Sequence, residues 1–500
     1  MHYTVHSCDA RDSNPARPRT WGVHLSTVEN DAPPARTTGN AQPLAAFLAV
    51  LALVELASGA TQTYFSPVLE TIALRFHLSI GTVSWAVTAF LLSTAVTMPV
   101  FARLGDVYGH RRILRVEAGI VALGSLLVAV APNFPVLLTG RILQGMFAAF
   151  LPLMFGLVRS RYDQANTRRA VAYLNAIVIF GVVATLVAVT LLVRYADSAT
   201  WAYWVPAALM TAGFVALLVK RGTEPLPATG QRVDWSGAAL LAAGMTALLL
   251  GISKGSSWGW TSDAALGAIT GGVLLLAVWA VVERRIAVPL IDLRFLATPR
   301  FLPVYAIGFC IYFAINGGQV AGSTFSAAPH AYLGYGLSMN AFHISMWAAF
   351  LSVLALLAVL STLRLGKVIG LRAVLVLGAG CGVVGFGGLV LAHNTLITYL
   401  IFSGFTMLAL GFTESSTRIQ VVDGLREGEV SIGSGVYELA ITLGSAVGSA
   451  VLAAIASSNA AKFPGLATEH GYELVWGASG GICLVALLAA AINAIRKDNK

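Results

Sequence analysis

The stretch Arg103-Leu-Gly-Asp-Val-Tyr-Gly-His-Arg-Arg112 is a polar decapeptide between two long apolar runs, and a related segment follows more than 250 residues later. Residues 103–111, RLGDVYGHR, align with residues 364–372, RLGKVIGLR, and six of the nine positions agree. A turn-like motif that occurs twice at such a separation indicates an internal repeat. We therefore predict that the chain consists of two related halves.

The composition is that of a membrane protein. The chain has 500 residues, of which 57% are hydrophobic and 11% charged, whereas an ordinary soluble domain is about 25% charged. Apolar runs of roughly 17 to 25 residues, long enough to cross a lipid bilayer, recur throughout and predict an all-α polytopic membrane protein. The fourteen predicted spans cover residues 44–66, 82–102, 113–131, 135–158, 170–193, 201–219, 235–253, 264–282, 302–327, 341–363, 372–392, 395–417, 431–456 and 473–495.

The formal net charge of +9 reports the topology of the chain. If the N-terminus is cytoplasmic, most of the 32 Lys and Arg residues, Arg418 among them, fall in the terminal segments and inward loops. This asymmetry follows the positive-inside rule, so both termini are predicted to be cytoplasmic and no nucleic-acid partner is expected. The exceptions are Arg141, which falls inside a span, and four residues of the outward loops, Arg75, Arg194, Lys254 and Lys462.

The two motif copies lie eight spans apart, which suggests two six-helix bundles with spans 7 and 8 inserted between them. Such repeated halves are typical of secondary transporters. The predicted organisation is a disordered cytoplasmic tail over residues 1–42, an N-terminal bundle over 43–220, a linker with two inserted transmembrane helices over 221–300, a C-terminal bundle over 301–495 and a short cytoplasmic tail over 496–500.

The loop of the first motif copy is a candidate conformational latch. Gly105 and Gly109 allow a tight connection, while Asp106 can pair with Arg111 and Arg112 or occupy the positive N-terminal end of a nearby helix. The alternative is a solvated turn with scattered charges.

Two motifs resemble those of the major facilitator superfamily. Residues 102–114, ARLGDVYGHRRIL, are similar to the family's G-x-L-a-D-r-x-G-r-k-x-x-l loop, with Ala102 and Val107 as departures. Residues 137–149, LLTGRILQGMFAA, follow its l-x-x-x-R-x-x-q-G-x-g-a-a pattern in span 4. With fourteen spans, the chain resembles the drug:proton antiporter branch over about residues 43–495, which implies two six-helix bundles plus two inserted helices and transport by alternating access.

Spans 5 and 1 depart from that resemblance. The antiporter motif G-x-x-x-G-P-x-x-G-G aligns with residues 181–190, GVVATLVAVT, where only Gly181 remains. Without the Gly-Pro bend, span 5 should be straighter, which leaves open a proton-linked importer or an uncoupled facilitator of the same fold. In span 1 the family's aspartate falls at Ser58, and Glu55, on the same helical face, is expected to replace it.

Four charged residues are the proton-coupling candidates: Glu55, Arg141, Glu414 and Glu438. A charge at mid-membrane costs about 2.5 to 3.5 kcal/mol on insertion scales, so it requires a partner or a function. Movement of Arg141 relative to Glu55 would switch proton uptake and release. The alternative is a static ion pair between spans 1 and 4.

Polar and aromatic side chains on one face of span 9, with others on spans 1, 4 and 13, are predicted to line a substrate cavity. Such a surface would stack on lipophilic compounds, including cations, although similar stripes also serve helix packing. The cavity candidates are Ser58, Gln144, Tyr305, Phe309, Tyr312, Asn316, Gln319 and Thr442.

These features together predict a secondary active transporter that expels lipophilic small molecules in exchange for protons. The chain has no phosphate-binding loop of the form G-x-x-x-x-G-K-[ST], so the proton gradient is the predicted energy source and no cofactor is expected. No catalytic or metal-binding residues are predicted, and the protein is not expected to be an enzyme. The predicted partners are a small-molecule substrate and the lipid bilayer, and we expect a monomer in the plasma membrane, which is the inner membrane of a Gram-negative cell.

Overall fold

The computed structural model describes residues 44–65, 68–78, 80–195, 201–220, 234–286, 301–426, 429–461 and 466–495, and nearly all of them are helical. The predicted tails over residues 1–42 and 496–500 lie outside the described residues, as do residues 221–233 and 287–300 of the predicted linker. The prediction of an all-α membrane protein is confirmed.

The helices follow the predicted spans in order. The first half contains α1 (Leu44–Thr63), α2 (Leu69–Phe76), α3 (Ile80–Tyr108), α4 (His110–Val130), α5 (Phe134–Gly145), α6 (Phe150–Arg159), α7 (Gln164–Tyr195) and α8 (Trp201–Val219). The inserted pair is α9 (Trp235–Trp258) and α10 (Asp263–Glu283). The second half contains α11 (Leu302–Ile315), α12 (Gln319–Ala327), α13 (His330–Leu333), α14 (Ala341–Val368), α15 (Leu371–Leu391), α16 (Leu396–Gly424), α17 (Val430–Ser458) and α18 (Glu469–Ile495).

Among the described residues, thirteen helical segments are long and apolar enough to cross a membrane, and Phe47–Thr63 of α1 is a shorter apolar helix. Together they agree with the fourteen predicted spans. Several helices begin where an Asn, Ser or Thr side chain accepts a hydrogen bond from the first turn, as at Asn133, Ser262, Asn340 and Thr395. These caps satisfy backbone groups that the helix itself leaves unpaired.

Two of the predicted spans are interrupted, which the sequence analysis did not predict. The span made of α5 and α6 contains a 3₁₀ turn over Met146–Ala149, and the span made of α11 and α12 is broken by a turn at residues 316–318. Interruptions of this kind leave backbone groups available to other partners and occur in transporters next to their binding sites.

The two halves meet along two seams. Helix α7 packs against α14 and α16, and α17 packs against α3 and α6. The inserted helix α9 packs on α10 and contacts both α3 and α17, so it lies at the second seam. The predicted straightness of span 5 agrees with α7, which is continuous over 32 residues and contains no proline.

Glycines permit the close contact between α1 and α7. A Cβ added at Gly59 would lie 2.5 Å from the backbone oxygen of Val178, and one added at Gly181 would lie 2.7 Å from the backbone oxygen of Leu56. Backbone atoms inside a helix cannot yield as a flexible side chain does. Gly181, the residue of the span 5 motif that remains, therefore has a packing role.

We expect Gly59→Ala to destabilise the protein by about 1–3 kcal/mol, because the added methyl group overpacks the α1–α7 contact. The measurement is the apparent unfolding temperature in detergent. Gly271→Ala in α10 is the matched control, because its Cβ would meet nothing within 4 Å. Equal unfolding temperatures for the two variants would contradict the proposed close contact.

Candidate functional site

A buried ion-pair cluster lies between α16 and α17 in the second half. Nε and Nη2 of Arg418 donate to the two carboxylate oxygens of Glu438 at 2.6 and 3.0 Å, and Nη1 donates to Glu414 one turn earlier. The Arg418 and Glu414 side chains are 5% and 9% exposed, and that of Glu438 is 12% exposed. This planar, bidentate arrangement is the strongest form of an arginine–carboxylate contact.

Aromatic hydroxyl groups surround the cluster. Tyr437 shares a 2.6 Å hydrogen bond with Thr417, and its ring lies 6.0 Å from the Arg418 guanidinium. Tyr312 of α11 is half-buried and interacts electrostatically with Arg418, Glu414 and Glu438. Among the predicted aromatic residues of span 9, Tyr312 is therefore the one that interacts electrostatically with the charged cluster.

Glu55 of α1 belongs to the same electrostatic environment, although it lies in the other half of the molecule. Its side chain is 1% exposed, and neither carboxylate oxygen has a hydrogen-bond partner at normal distance among the described residues. Arg418 and Glu438 act on it electrostatically. The site therefore spans both halves.

The cluster is electrically unbalanced. When ionised, Glu55, Glu414 and Glu438 carry three negative charges, and Arg418 supplies one positive charge. An uncompensated charge is expensive in a low-dielectric interior, so this excess of negative charge is unfavourable when all three carboxylates are ionised.

The structure does not show the predicted contact between Glu55 and Arg141. The Arg141 guanidinium lies 4.4 Å from the ring of Phe65 and 4.0 Å from that of Phe90, and its Nη1 donates to Gln144 at 2.9 Å. Arg141 is thus stabilised by cation–π contacts. Arg418 is the cation that acts electrostatically on Glu55.

Gln144 is fully engaged in packing between helices of the first half. Its amide oxygen accepts hydrogen bonds from Tyr64 at 3.0 Å and from Arg141, and its amide nitrogen donates to Ser125 at 3.1 Å. The side chain is completely buried. This predicted cavity residue therefore orders the region around Arg141 and offers no free group to a ligand.

The other predicted cavity residues divide between packing and exposed positions. Tyr305 is buried against Phe301 and Tyr437, and Phe309 packs against Phe313. The remaining residues differ in their surroundings: Ser58 is buried, Thr442 bonds the carbonyl oxygen of Glu438 in its own helix, and Asn316 and Gln319 are exposed at the break between α11 and α12.

Glu117 of α4 supports the interruption in the span made of α5 and α6. Its side chain is completely buried, and Oε1 accepts a hydrogen bond from the backbone nitrogen of Ala149 at 3.0 Å. Ala149 ends the 3₁₀ interruption in the span made of α5 and α6. The Glu117 carboxylate thus provides an acceptor at the point where the helix is interrupted.

The predicted latch residue Asp106 joins the two halves. One carboxylate oxygen accepts from the backbone nitrogen of Ile432 at 3.1 Å, at the start of α17, and the other lies 3.0 Å from Nε2 of His110. Of the two predicted arrangements, the structure shows the one at a helix N-terminus, where the helix dipole favours a negative charge.

The neighbouring latch residues shape the turn. Gly109 has a φ of 98°, a conformation that residues with a Cβ rarely adopt, and a Cβ at Gly105 would overlap Leu153 of α6. Arg111 donates to the carbonyl oxygen of Lys220 at the end of α8, whereas Arg112 is exposed. The latch thus depends mainly on Asp106 and on the turn that positions it.

A second charged contact between the halves lies at the same end of the bundle. Nε of Arg168, at the start of α7, donates to Asp423 near the end of α16 at 2.6 Å, and Gln164 donates to the other oxygen of Asp423 at 3.3 Å. The Arg168 side chain is 43% exposed. The Asp423 side chain is 12% exposed, so this is a partly buried ion pair that joins the two halves.

Arg418 was predicted to lie in an inward loop because span 12 was predicted to end at residue 417. Helix α16 continues to Gly424 and places Arg418 inside the bundle. The four-residue spacing from Glu414 to Arg418 on a helix was a signal that could have identified the pair. The contact with Glu438 joins two spans and has no comparable local signal.

A site that is buried between two helical halves, with contacts between the halves at one end, is typical of a membrane transporter that works by alternating access. Residues 51–449 match the sequence profile of the Major Facilitator Superfamily. The chain belongs to this family, as its two motifs predicted, and it is therefore a transporter and not an enzyme.

Known proteins of this kind resemble the chain over most of its length. The quinolone resistance protein NorB of Staphylococcus aureus is 27% identical over 412 residues, which cover 78% of this chain and 82% of NorB. Two solved structures share the fold: the human organic anion transporter MFSD10 (TM-score 0.59, 14% identity, 90% of this chain and 100% of that one) and a partially occluded inward-open xylose transporter XylE from E. coli (TM-score 0.56, 12% identity, 89% and 96%). The predicted fold class is confirmed.

Replacement of Arg418 by Met should destabilise the protein by about 3–5 kcal/mol, because it leaves buried carboxylates without their partner. The triple variant Arg418→Met, Glu414→Gln, Glu438→Gln should recover much of this loss, since it removes the charges together. The apparent unfolding temperatures of both variants in detergent test the effect. Equal losses in the single and triple variants would argue against a charge-compensated cluster.

Opening of the latch should be measurable by labelling at Ser431, which is fully buried beside the Asp106 contact. In a Ser431→Cys protein whose four native cysteines are replaced, Asp106→Ala should raise the rate of labelling by a membrane-impermeant maleimide. Loss of a hydrogen bond to a charged group is worth about 1.5–3 kcal/mol, or at least about tenfold in the closed-to-open ratio.

The control for this experiment is Asp263→Ala, which removes an exposed aspartate from the inserted helix α10. It should leave the labelling rate at position 431 unchanged. An Asp106→Ala rate equal to that of the control would show that Asp106 does not fasten this end.

Proposed function

We propose that the protein exports lipophilic small molecules, including organic cations, across the plasma membrane in exchange for protons. The observation that supports this most directly is the buried Glu55 carboxylate, which has no hydrogen-bond partner at normal distance in the described part of the chain and interacts electrostatically with the Arg418–Glu438 pair. The site has an excess of negative charge that a proton or a cationic substrate would reduce.

Competition between the proton and the cationic substrate for the same negative charge couples the transport of the two. A proton on Glu55 neutralises one carboxylate and weakens the attraction for a cation, whereas deprotonation restores it. Because each ligand lowers the affinity for the other, the two are carried in opposite directions when the site alternates between the two faces. Arg418 holds Glu414 and Glu438 in place during this exchange.

The contacts between the halves control the alternation between the states that are open to one or the other side of the membrane. Asp106 and Asp423 connect the halves at the predicted cytoplasmic end, and both contacts are electrostatic. Opening this end requires them to break, and a ligand that changes the charge of the central site can shift the balance between the two states. The predicted cytoplasmic position of both termini is part of this proposal.

The substrate class follows from the groups around the charged cluster. Tyr312 is half-buried and interacts electrostatically with the carboxylates, and its aromatic face and hydroxyl group are a combination suited to a lipophilic cation. The quinolone resistance named for the related NorB is in keeping with the export of aromatic drugs.

A proton-linked importer or an uncoupled facilitator is the second candidate. It is favoured by α7, which runs without interruption and lacks the Gly-Pro motif that the antiporters carry in this span. The direction of transport distinguishes the candidates: an exporter protects cells from a toxic compound, whereas an importer sensitises them or supports growth on a nutrient.

Glu55→Gln should abolish substrate movement driven by an imposed pH gradient while exchange at equal pH persists, because glutamine keeps the shape of the side chain but cannot carry a proton. The measurement is the transport of tetraphenylphosphonium and of a quinolone in proteoliposomes, with pH gradients of either sign. Retention of normal gradient-driven transport by the variant would exclude Glu55 as the proton carrier.

The matched control for this experiment is Glu283→Gln, which alters another buried glutamate in the inserted helix α10. It should transport like the wild-type protein. If the wild-type protein itself responds to neither gradient, the proposed proton exchange is wrong and the facilitator remains.

A further inference from the structure

We propose that Glu117 is a second proton-binding residue, which receives the proton from Glu55 and connects its passage to the interruption in the span made of α5 and α6. This inference rests on the proposed proton exchange and extends it to a residue outside the charged cluster.

The surroundings of Glu117 are those of a proton site. The side chain is completely buried, Oε1 accepts the hydrogen bond from Ala149, and Oε2 has no hydrogen-bond partner among the described residues. A permanently ionised carboxylate with one free oxygen in such a place carries a large desolvation penalty. A proton bound to Oε2 removes the charge and leaves Oε1 free to accept from Ala149.

Glu55 is the charged group that acts electrostatically on Glu117. Two buried carboxylates that sense each other cannot both ionise freely, so a proton bound by one favours ionisation of the other. A proton bound at either residue therefore lowers the cost of ionising the other. Transfer breaks the O–H bond of the Glu55 carboxyl group and forms an O–H bond on Glu117, and water relays the proton between the two side chains.

The other ionisable groups on the helices that pack against α4 have different surroundings. Arg141 lies between aromatic rings, and Asp106 binds His110 and the start of α17. On α4 itself, Arg115 donates to carbonyl oxygens of Leu217 and Lys220. The full set on the packed helices is Arg103, Asp106 and Tyr108 in α3, Arg141 in α5, Arg159 in α6 and Tyr203 in α8.

Glu117 lies nearer than Glu55 to the end that carries the latch. It is about 10 Å along α4 from His110, whereas Glu55 is about 16 Å along α1 from Leu44, at a rise of about 1.5 Å per residue. Both helices start at the latch end, because α3 returns the chain to Asp106. Glu117 is thus nearer to that end, and a proton that moves from Glu55 to Glu117 moves toward it.

The hydrogen bond to Ala149 links the proton to the backbone. A carboxylate is a stronger acceptor than a neutral carboxyl group, so protonation of Glu117 weakens its hold on the end of the 3₁₀ turn. The turn lies between α5, which carries Arg141, and α6, which packs against α17 of the other half. Proton binding at Glu117 can therefore bias the contact between the halves.

The test uses the full-length protein with Glu117→Gln, Glu117→Asp and Glu117→Ala, and Glu283→Gln as the matched control. Glutamine still accepts from the Ala149 nitrogen but binds no proton. We expect Glu117→Gln to lose transport of tetraphenylphosphonium driven by a pH gradient while exchange at equal pH continues, and Glu117→Asp to recover part of the driven transport. If Glu117 only supported the helix, Glu117→Gln would transport like the wild type and Glu117→Ala alone would fail.

A second measurement detects the proton itself. Infrared difference spectra of the Glu55→Gln protein, recorded during a pH titration, should retain a protonated-carboxyl band that disappears in the Glu55→Gln, Glu117→Gln double variant. Persistence of the band in the double variant would overturn the inference. Failure of the wild-type protein to respond to a pH gradient would instead reject the proposed proton exchange, so the two failures are distinguishable.

Discussion

The structure depends on an electrostatic imbalance in a place where charge is expensive. Arg418 neutralises one of the carboxylates around it, and Glu55 reaches the same region from the other half with no hydrogen-bond partner at normal distance among the residues described. In water such an excess would be screened over about 10 Å, but in the interior of a membrane protein it must be met by a bound ligand or a proton. A ligand or proton that reduces this excess charge would therefore change the electrostatic interaction between the two halves.

The same halves are joined elsewhere by interactions that are individually weak. Asp106 accepts a hydrogen bond from the backbone at the N-terminus of α17, and Asp423 forms a partly exposed ion pair with Arg168. Neither contact buries a large apolar surface. Because weak electrostatic contacts can form and break without unfolding either bundle, the fastening suits a protein that alternates between two states.

Two interrupted spans give this framework local points of movement. The 3₁₀ turn over Met146–Ala149 is supported by Glu117, and the turn at residues 316–318 follows Tyr312, which interacts with the charged cluster. A continuous helix transmits motion as a rigid rod, whereas an interrupted one can change direction at the break. The first interruption therefore lies beside Glu117, whose charge is proposed to change.

The amino-acid sequence was sufficient to predict the fold class, because long apolar runs permit little other than transmembrane helices and because the repeated RLG motif marks equivalent loops. It also singled out Glu55, Glu414, Glu438 and Asp106, since a charge in or beside an apolar span is conspicuous. It did not predict which charges meet. Arg141 was paired with Glu55 on the strength of its position in span 4, and Arg418 was assigned to a loop.

What the sequence alone determined is thus the set of helices, their order and the small number of charges they carry, all of which follow from local composition and spacing. The tertiary structure decided the partners: it placed Arg418 beside Glu438 and near Glu55, enclosed Arg141 between Phe65 and Phe90, and brought Glu117 to the break at Ala149. The reason is that each side chain projects from one face of its helix, and only the packing of distant helices determines what that face contacts.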